Sequence, residues 1–354
     1  MSKVLDSKKT AIVLFNLGGP DSLKAVKPFL FNLFNDKNII TLPSFFRYLI
    51  AWFISSRREN TAREIYSKMG GKSTILEETL NQANALKLEL SNKIKNEFDV
   101  FICMRHWHPM SSEVISRLEY YKPDEIILVP LYPQFSTTTT ASSIEEFTKI
   151  KSKSLIKDII SKTICCYPQD DNFVKAHVSL IIDAIDKVKD KNNYRVLFSA
   201  HGLPKKIIDS GDPYQWQVEA SVNEVIDQMP FEGFDYKITY QSRVGPMEWI
   251  GPSTEDEIEN AVKDGKELVI VPIAFVSEHS ETLVELDIEY KHIADKKGVN
   301  YIRVPTLSIN NLFIKSLSEI ILKAQDKDGE FLTSSSFLRI CPSNFTKCPC
   351  KKIN

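Results

Sequence analysis

Two histidine-bearing segments hold residues that could do chemistry. In Ser199-Ala200-His201-Gly202-Leu203-Pro204, His201 comes just after the apolar run Tyr194 to Ser199, separated from it by Ala200. In Ser277-Glu278-His279-Ser280-Glu281-Thr282-Leu283-Val284-Glu285-Leu286-Asp287-Ile288-Glu289, the polar residues follow an apolar run that ends at Val276. An imidazole has a reference pKa of about 6.5, so His201 can take up or release a proton near neutrality. Read as a helix, the second segment puts Glu278, Glu281, Glu285 and Glu289 on one face. A plain reading of that column is a solvated face, because like charges four residues apart cost only roughly 0.2–0.5 kcal/mol per pair. The sharper reading is a path for cations or protons that starts at a cleft. Imidazole and carboxylate together suit a divalent ion held loosely enough to be passed on.

Such groups need elements to position them. The chain has 354 residues, 43% hydrophobic and 26% charged, with a net charge of −1, as in ordinary soluble globular proteins. The charge balance gives no reason to expect a nucleic-acid partner. Strands are expected at 10–15, 99–104, 125–130, 160–166, 194–199, 236–241 and 267–276, and helices at 74–97, 111–121, 172–189 and 311–324. Strands alternating with helices imply βαβ units and parallel sheets. A faint repeat supports this: VLFNLGGP at 13–20 resembles VLFSAHGLP at 196–204, and EIILVP at 125–130 resembles ELVIVP at 267–272. The expected fold is therefore α/β, with two similar Rossmann-like halves at 1–172 and 173–325 and a tail at 326–354. A ligand cleft is expected between the carboxyl ends of their strands. Cleft candidates at these ends are Arg105 and His106, Tyr132 and Gln134, Tyr214, and Gln241, Ser242 and Trp249. Two of the aromatic groups, Tyr214 and Trp249, could stack on a flat ligand. Neither G-x-G-x-x-G after the first strand nor G-x-x-x-x-G-K-[ST] occurs, so no nucleotide cofactor is expected.

The first half carries an insertion at 35–75. Its stretch IITLPSFFRYLIAWFI at 39–54 is followed by Arg57 and Arg58. It reads either as a buried core helix or as an exposed apolar lip, where arginines reach anionic head groups while rings enter the acyl boundary. No uninterrupted apolar run of about 18 residues occurs, so no transmembrane helix is expected. The first ten residues lack the marks of a secretory or mitochondrial targeting segment. The expected location is cytoplasmic, with peripheral contact to the inner membrane. Of the 6 cysteines, Cys103 stands alone in a strand, Cys165 and Cys166 are adjacent, and Cys341, Cys348 and Cys350 crowd the tail. In a reducing cytoplasm clustered thiols read as metal or redox ligands. Adjacent residues of an extended strand point to opposite faces, so only one of Cys165 and Cys166 is expected to reach a shared centre.

FNLGGP, YSKMGGKS, HPMSSE, LVPLYPQFS, SAHGLP, GDPY, QSRVGPMEWIGP and FVSEHSETLVELDIEY together resemble the ferrochelatase family over roughly residues 8–325. The resemblance implies a lyase of heme biosynthesis that inserts Fe²⁺ into protoporphyrin IX without an organic cofactor, on a two-half chelatase fold around a porphyrin cleft. It implies that His201, Glu281 and Glu285 are catalytic, and that His201 and Glu281 meet the substrate iron. It places His279 beside them. Leu17, Tyr66, Ser73 and Arg105 are matched to the porphyrin pocket, as are Tyr214, Ser242, Trp249 and Phe275. Arg57 and Arg58 match a basic pair at the lip, suited to propionates because a guanidinium pairs with carboxylates bidentately.

The tail resembles that of cluster-bearing ferrochelatases. This implies a [2Fe–2S] cluster on Cys341, Cys348, Cys350 and one of Cys165 and Cys166, since such clusters take four ligands. An unstructured tail with incidental cysteines and a zinc site remain as alternatives. For the whole protein the alternatives are a chelatase for another metal or tetrapyrrole, such as cobalt or coproporphyrin, and a non-catalytic heme-binding protein. A homodimer stays open.

Overall fold

The computed structural model describes residues 8–350. Among these, nine strands form two wholly parallel sheets: β1 (Lys9–Asn16), β2 (Glu97–Met104), β3 (Glu125–Pro130), β4 (Ile160–Cys166), β5 (Tyr194–His201), β6 (Asp235–Gln241), β7 (Glu267–Pro272), β8 (Tyr301–Arg303) and β9 (Phe331–Ser334). The orders are β2-β1-β3-β4-β9 and β6-β5-β7-β8. The two-half reading is thus met, and the halves share one winding. Strand order reverses at β1 in the first sheet and at β5 in the second, which are the points where parallel sheets open a crevice beyond their carboxyl ends.

Central strands such as β3 are buried along their whole length, as an apolar run covered on both faces must be. Ile12, Leu14, Ile127 and Val129 of the first sheet and Val196, Phe198, Val269 and Val271 of the second belong to one continuous core. Each such side chain contributes about 1.5–3 kcal/mol on burial, and the shared core fixes the two crevices relative to each other. The helix Asn311–Gln325 packs on the helices Ile75–Ser91 and Asp171–Ile185 and reaches β3 and β4 of the first sheet. Beyond it the tail adds β9 to the β4 edge.

Two local departures from expectation bear on the site. The run expected as a strand to Val276 ends at Pro272, since proline has no N–H for the ladder. The acidic segment expected as a helix from Glu278 begins only at Glu281, and it is a π-helix, Glu281–Tyr290. A shorter π segment, Thr137–Ala141, occupies the corresponding place after β3.

The lip is one long helix, Ser44–Lys68. Its rings lie outside: Phe45 is 68% exposed, Phe46 58%, Trp52 56% and Phe53 58%. The buried-core reading of 39–54 is thereby excluded. Among the described residues, no helix is long and apolar enough to cross a membrane.

Candidate active site

The last residue of β5 is His201, and the ladder sets it opposite Gln241, the last residue of β6. Gly202 is required next. A Cβ there would stand 2.9 Å from the Gln241 carbonyl oxygen and 3.4 Å from the Trp249 ring, so only glycine lets these groups close around the histidine. The π-helix begins opposite. Glu281 Oε2 lies 2.8 Å from His201 Nδ1, and His279 Nε2 lies 3.9 Å from the same oxygen. His279 Nδ1 donates to the Ser277 carbonyl at 2.9 Å, which leaves Nε2 facing Glu281. The Phe275 ring packs 4.9 Å from that imidazole.

Glu285 follows along the π-helix. It accepts from Ser242 N at 2.8 Å, Ser242 Oγ at 2.5 Å, Gln241 Nε2 at 3.0 Å and Tyr290 Oη at 3.0 Å. Ser242 makes two of these bonds from a left-handed backbone with φ of 61°. A non-glycine residue held there stores about 1–3 kcal/mol of strain, a cost commonly met at functional sites.

These groups differ in proton affinity. Burial pushes the Glu281 carboxyl up, but the His201 charge and hydrogen bond, helped by His279, outweigh it and hold the group at about 2. Burial pulls His201 down, but the Glu281 charge and hydrogen bond, with Glu285 beyond, bring it above its ordinary value. Burial and the Glu281 charge raise Glu285, against the bonds from Ser242, Gln241 and Tyr290. The pair is not sealed: the His201 side chain is 39% exposed and that of Glu281 26%. An ionised carboxylate, a titratable imidazole and a second carboxylate of raised proton affinity stand in a row, the pattern that assigns acid and base roles.

Two tyrosines wall the pair. Tyr66, on the lip helix, sets its hydroxyl against Ser280 near Glu281, and burial raises it to about 12. Tyr214 lies against the His201 backbone, and burial raises it as well. The loop after β1 closes the first-half side. A Cβ on Gly19 would stand 2.5 Å from Ser73 Oγ, and Leu17 O accepts from His106 N at 2.9 Å. Asn16 Nδ2 reaches Ser277 Oγ at 3.4 Å, tying that loop to the second half.

Not every expected site residue joins this group. Arg105 is engaged elsewhere, 2.9 Å from the fully buried Asp36 and 2.6 Å from Ser142 Oγ. Arg57 and Arg58 are exposed on the lip helix, Arg58 lying 5.8 Å over the Phe34 ring. The column of four carboxylates is also incomplete. Glu278 precedes the helix and is taken by Arg303 Nη1 at 2.6 Å and Thr306 N at 3.0 Å, while Glu289 stands outside, 3.6 Å from Lys68. Sequence reasoning missed Asp36, Tyr290 and Asp212. The carboxylate of Asp212 accepts from Thr137 N at 2.7 Å and Tyr214 N at 2.9 Å, joining the halves. Its place in GDPY, just before a helix, is a capping signal.

The cysteines come together more fully than expected. Cys165, Cys166, Cys341, Cys348 and Cys350 share one small buried cluster. Cys165 Sγ lies 3.6 Å from Cys166 Sγ and 3.4 Å from Cys350 Sγ. The opposite-face argument for Cys165 and Cys166 fails because the β4–β9 register is irregular between Ile164 and Cys166, and such a break turns neighbouring side chains to one side. Cys103 is buried apart from them, with Sγ 3.4 Å from Ser111 Oγ. Among the described residues no three or more histidine, cysteine, aspartate or glutamate side chains are arranged to hold a metal ion.

A ferrochelatase family model matches residues 9–325. Ferrochelatase from Rickettsia felis is 56% identical over 348 residues, covering 98% of this chain and 99% of the relative. The chain belongs to the ferrochelatase family. Ferrochelatase from Pelagibacter ubique is 52% identical over 345 residues, covering 97% of this chain and 98% of its own. SirB from Bacillus subtilis, solved with Fe3+, matches in fold with a TM-score of 0.55 at 13% identity, covering 90% of this chain and 96% of that one. Family membership makes the protein a ferro-lyase of heme synthesis, with porphyrin and ferrous iron as substrates.

Proposed function

We propose that the protein inserts Fe²⁺ into protoporphyrin IX at the His201–Glu281 pair, with Glu285 as the next proton carrier. The 2.8 Å contact of that pair at the carboxyl end of β5, walled by Tyr66, Tyr214 and Trp249, is the observation that carries this reading. Insertion exchanges two pyrrole protons for one divalent ion. Neutral His201 donates from Nδ1 to Glu281 and offers Nε2 to a pyrrole proton, and the Glu281 charge then stabilises the imidazolium. The second proton passes by way of Glu285, whose raised affinity suits a temporary holder. Trp249, Tyr214 and Phe275 supply flat apolar contact, and Arg57 and Arg58 meet the propionates at the lip. Anaerobic incubation with Fe²⁺ and protoporphyrin tests the reading. Loss of porphyrin fluorescence over many turnovers is expected; one equivalent or none would point instead to a heme-binding protein.

The exposed rings of Ser44–Lys68, with arginines behind them, support peripheral membrane contact through which a poorly soluble porphyrin enters. They also favour protoporphyrin over more carboxylated porphyrins.

The five gathered thiols support a [2Fe–2S] cluster on Cys341, Cys348, Cys350 and one of Cys165 and Cys166. Soft thiolates suit iron–sulfur centres. Burial raises the Cys165 thiol, and Cys166 and Cys350 raise it further; bound iron would supply the charge that makes such a buried thiol a thiolate. A cluster would supply a redox-active cross-link between β4 and the tail. Anaerobically purified protein is then reddish, with about two iron and two sulfide per chain, and Cys348→Ser bleaches it.

A further inference from the structure

The helix Tyr214–Asp227 begins against the catalytic histidine and runs past the thiols. One turn after Tyr214 it carries Gln217, which is fully buried. Gln217 Nε2 lies 3.1 Å from Cys341 Sγ and 3.5 Å from Cys166 Sγ, so one amide group spans a tail thiol and a β4 thiol. Its other end is fixed, since Oε1 accepts from Phe135 N at 2.8 Å. The tail seats itself on the start of the same helix. Lys347 N donates to Gly211 O at 3.1 Å, and the Phe345 ring packs 6.0 Å from Trp216. A Cβ on Gly211 would stand 3.0 Å from Thr346 N, so the tail approaches as closely as backbone permits.

A neutral thiol is a weak acceptor, and burying an amide N–H between two of them wins little for the desolvation it costs. A metal-bound thiolate is a charged acceptor, for which such bonds are roughly twice as strong. We infer that Gln217 is a hydrogen-bond donor to the cysteine sulfurs of the iron–sulfur cluster and sets its reduction potential. The inference rests on the cluster reading given above. Hydrogen bonds to cluster sulfurs stabilise the reduced, more negative state and raise the potential. Gln217 is thus a positioning and tuning residue, and it does not touch the reacting porphyrin.

The test uses the full chain, purified anaerobically, with iron, sulfide and visible charge-transfer absorption measured before an equilibrium redox titration. Gln217→Leu removes the donor. Gln217→Met keeps the length and removes the donor without adding charge, so it carries the test if the leucine variant fails to fold. Iron and sulfide contents like the wild type, with a midpoint shifted to more negative potential in either variant, are expected. A loaded variant whose midpoint equals that of the wild type overturns the role of Gln217 and leaves the cluster standing. A wild-type protein without iron and sulfide overturns both.

Discussion

The two halves wind their strands in the same order, yet they set different partners on the carboxylates at their crevices. After β2, Arg105 reaches Asp36 and Ser142, the residue that follows the short π segment. After β6, Ser242 reaches Glu285, within the long π-helix. In the first half the carboxylate is fully buried and held by a guanidinium, which stays charged at any relevant pH. In the second half the carboxylate faces an imidazole, and both are partly open. The closest basic partner of the first carboxylate is a permanent cation, and that of the second is a titratable ring.

The largest effect that would sharpen this contrast is expected from Glu281→Gln. Insertion should fall at least 100-fold, about 2.7 kcal/mol in the barrier. The same change removes the charge that raises His201, so burial dominates and the ring should titrate at lower pH. NMR titration, with the His201 signal assigned by its loss in His201→Ala, reads this directly; an unmoved or higher value would break the proposed pairing. Next comes Asp36→Asn. Leaving Arg105 uncompensated should cost about 3–5 kcal/mol of stability, seen as a lower Tm or denaturation midpoint. Turnover of the folded fraction should fall less than tenfold, and a larger loss would give the first-half pair a chemical role.

Glu285→Gln is a milder change in turnover, with a sign that can be checked. Glu285 adds to the raising of His201, so its loss should move the acid limb of kcat slightly to lower pH, because His201 must be neutral to accept a proton. A limb moving to higher pH would contradict the arrangement. The smallest catalytic effect is expected at the lip. Charged replacements of Phe46, Leu49 and Phe53 should weaken liposome flotation and raise KM for porphyrin with Tm unchanged, since these side chains are already exposed.

Much of this was legible in the sequence because parallel strands announce themselves. VLFSAHGLP and ELVIVP, read against VLFNLGGP and EIILVP, gave two halves and put His201 at a strand end, where it lies. The apolar run 39–54 was readable as a lip because arginine follows it. What escaped depends on contacts distant in sequence. Glu278 leaves the carboxylate column only because Arg303 is brought to it by β8, a strand of three residues with no clear pattern. Asp36 lies in a polar stretch with no motif, and its role exists only once Arg105 arrives. Adjacent cysteines point the same way only because the strand ladder breaks between them. The π-helix is not legible in the sequence, because acidic residues spaced three and four apart fit an α-helical face and carry no mark of the wider turn.

The central claim is that His201 acts on the porphyrin protons while apolar walls hold the ring. The most direct measurement is a single-turnover experiment in which porphyrin-loaded His201→Ala is mixed anaerobically with Fe²⁺ and followed by fluorescence. Porphyrin binding within a few-fold of the wild type, with no insertion on the wild-type timescale, is the expected result. Insertion at more than a tenth of the wild-type rate, a barrier change under about 1.4 kcal/mol, would contradict it.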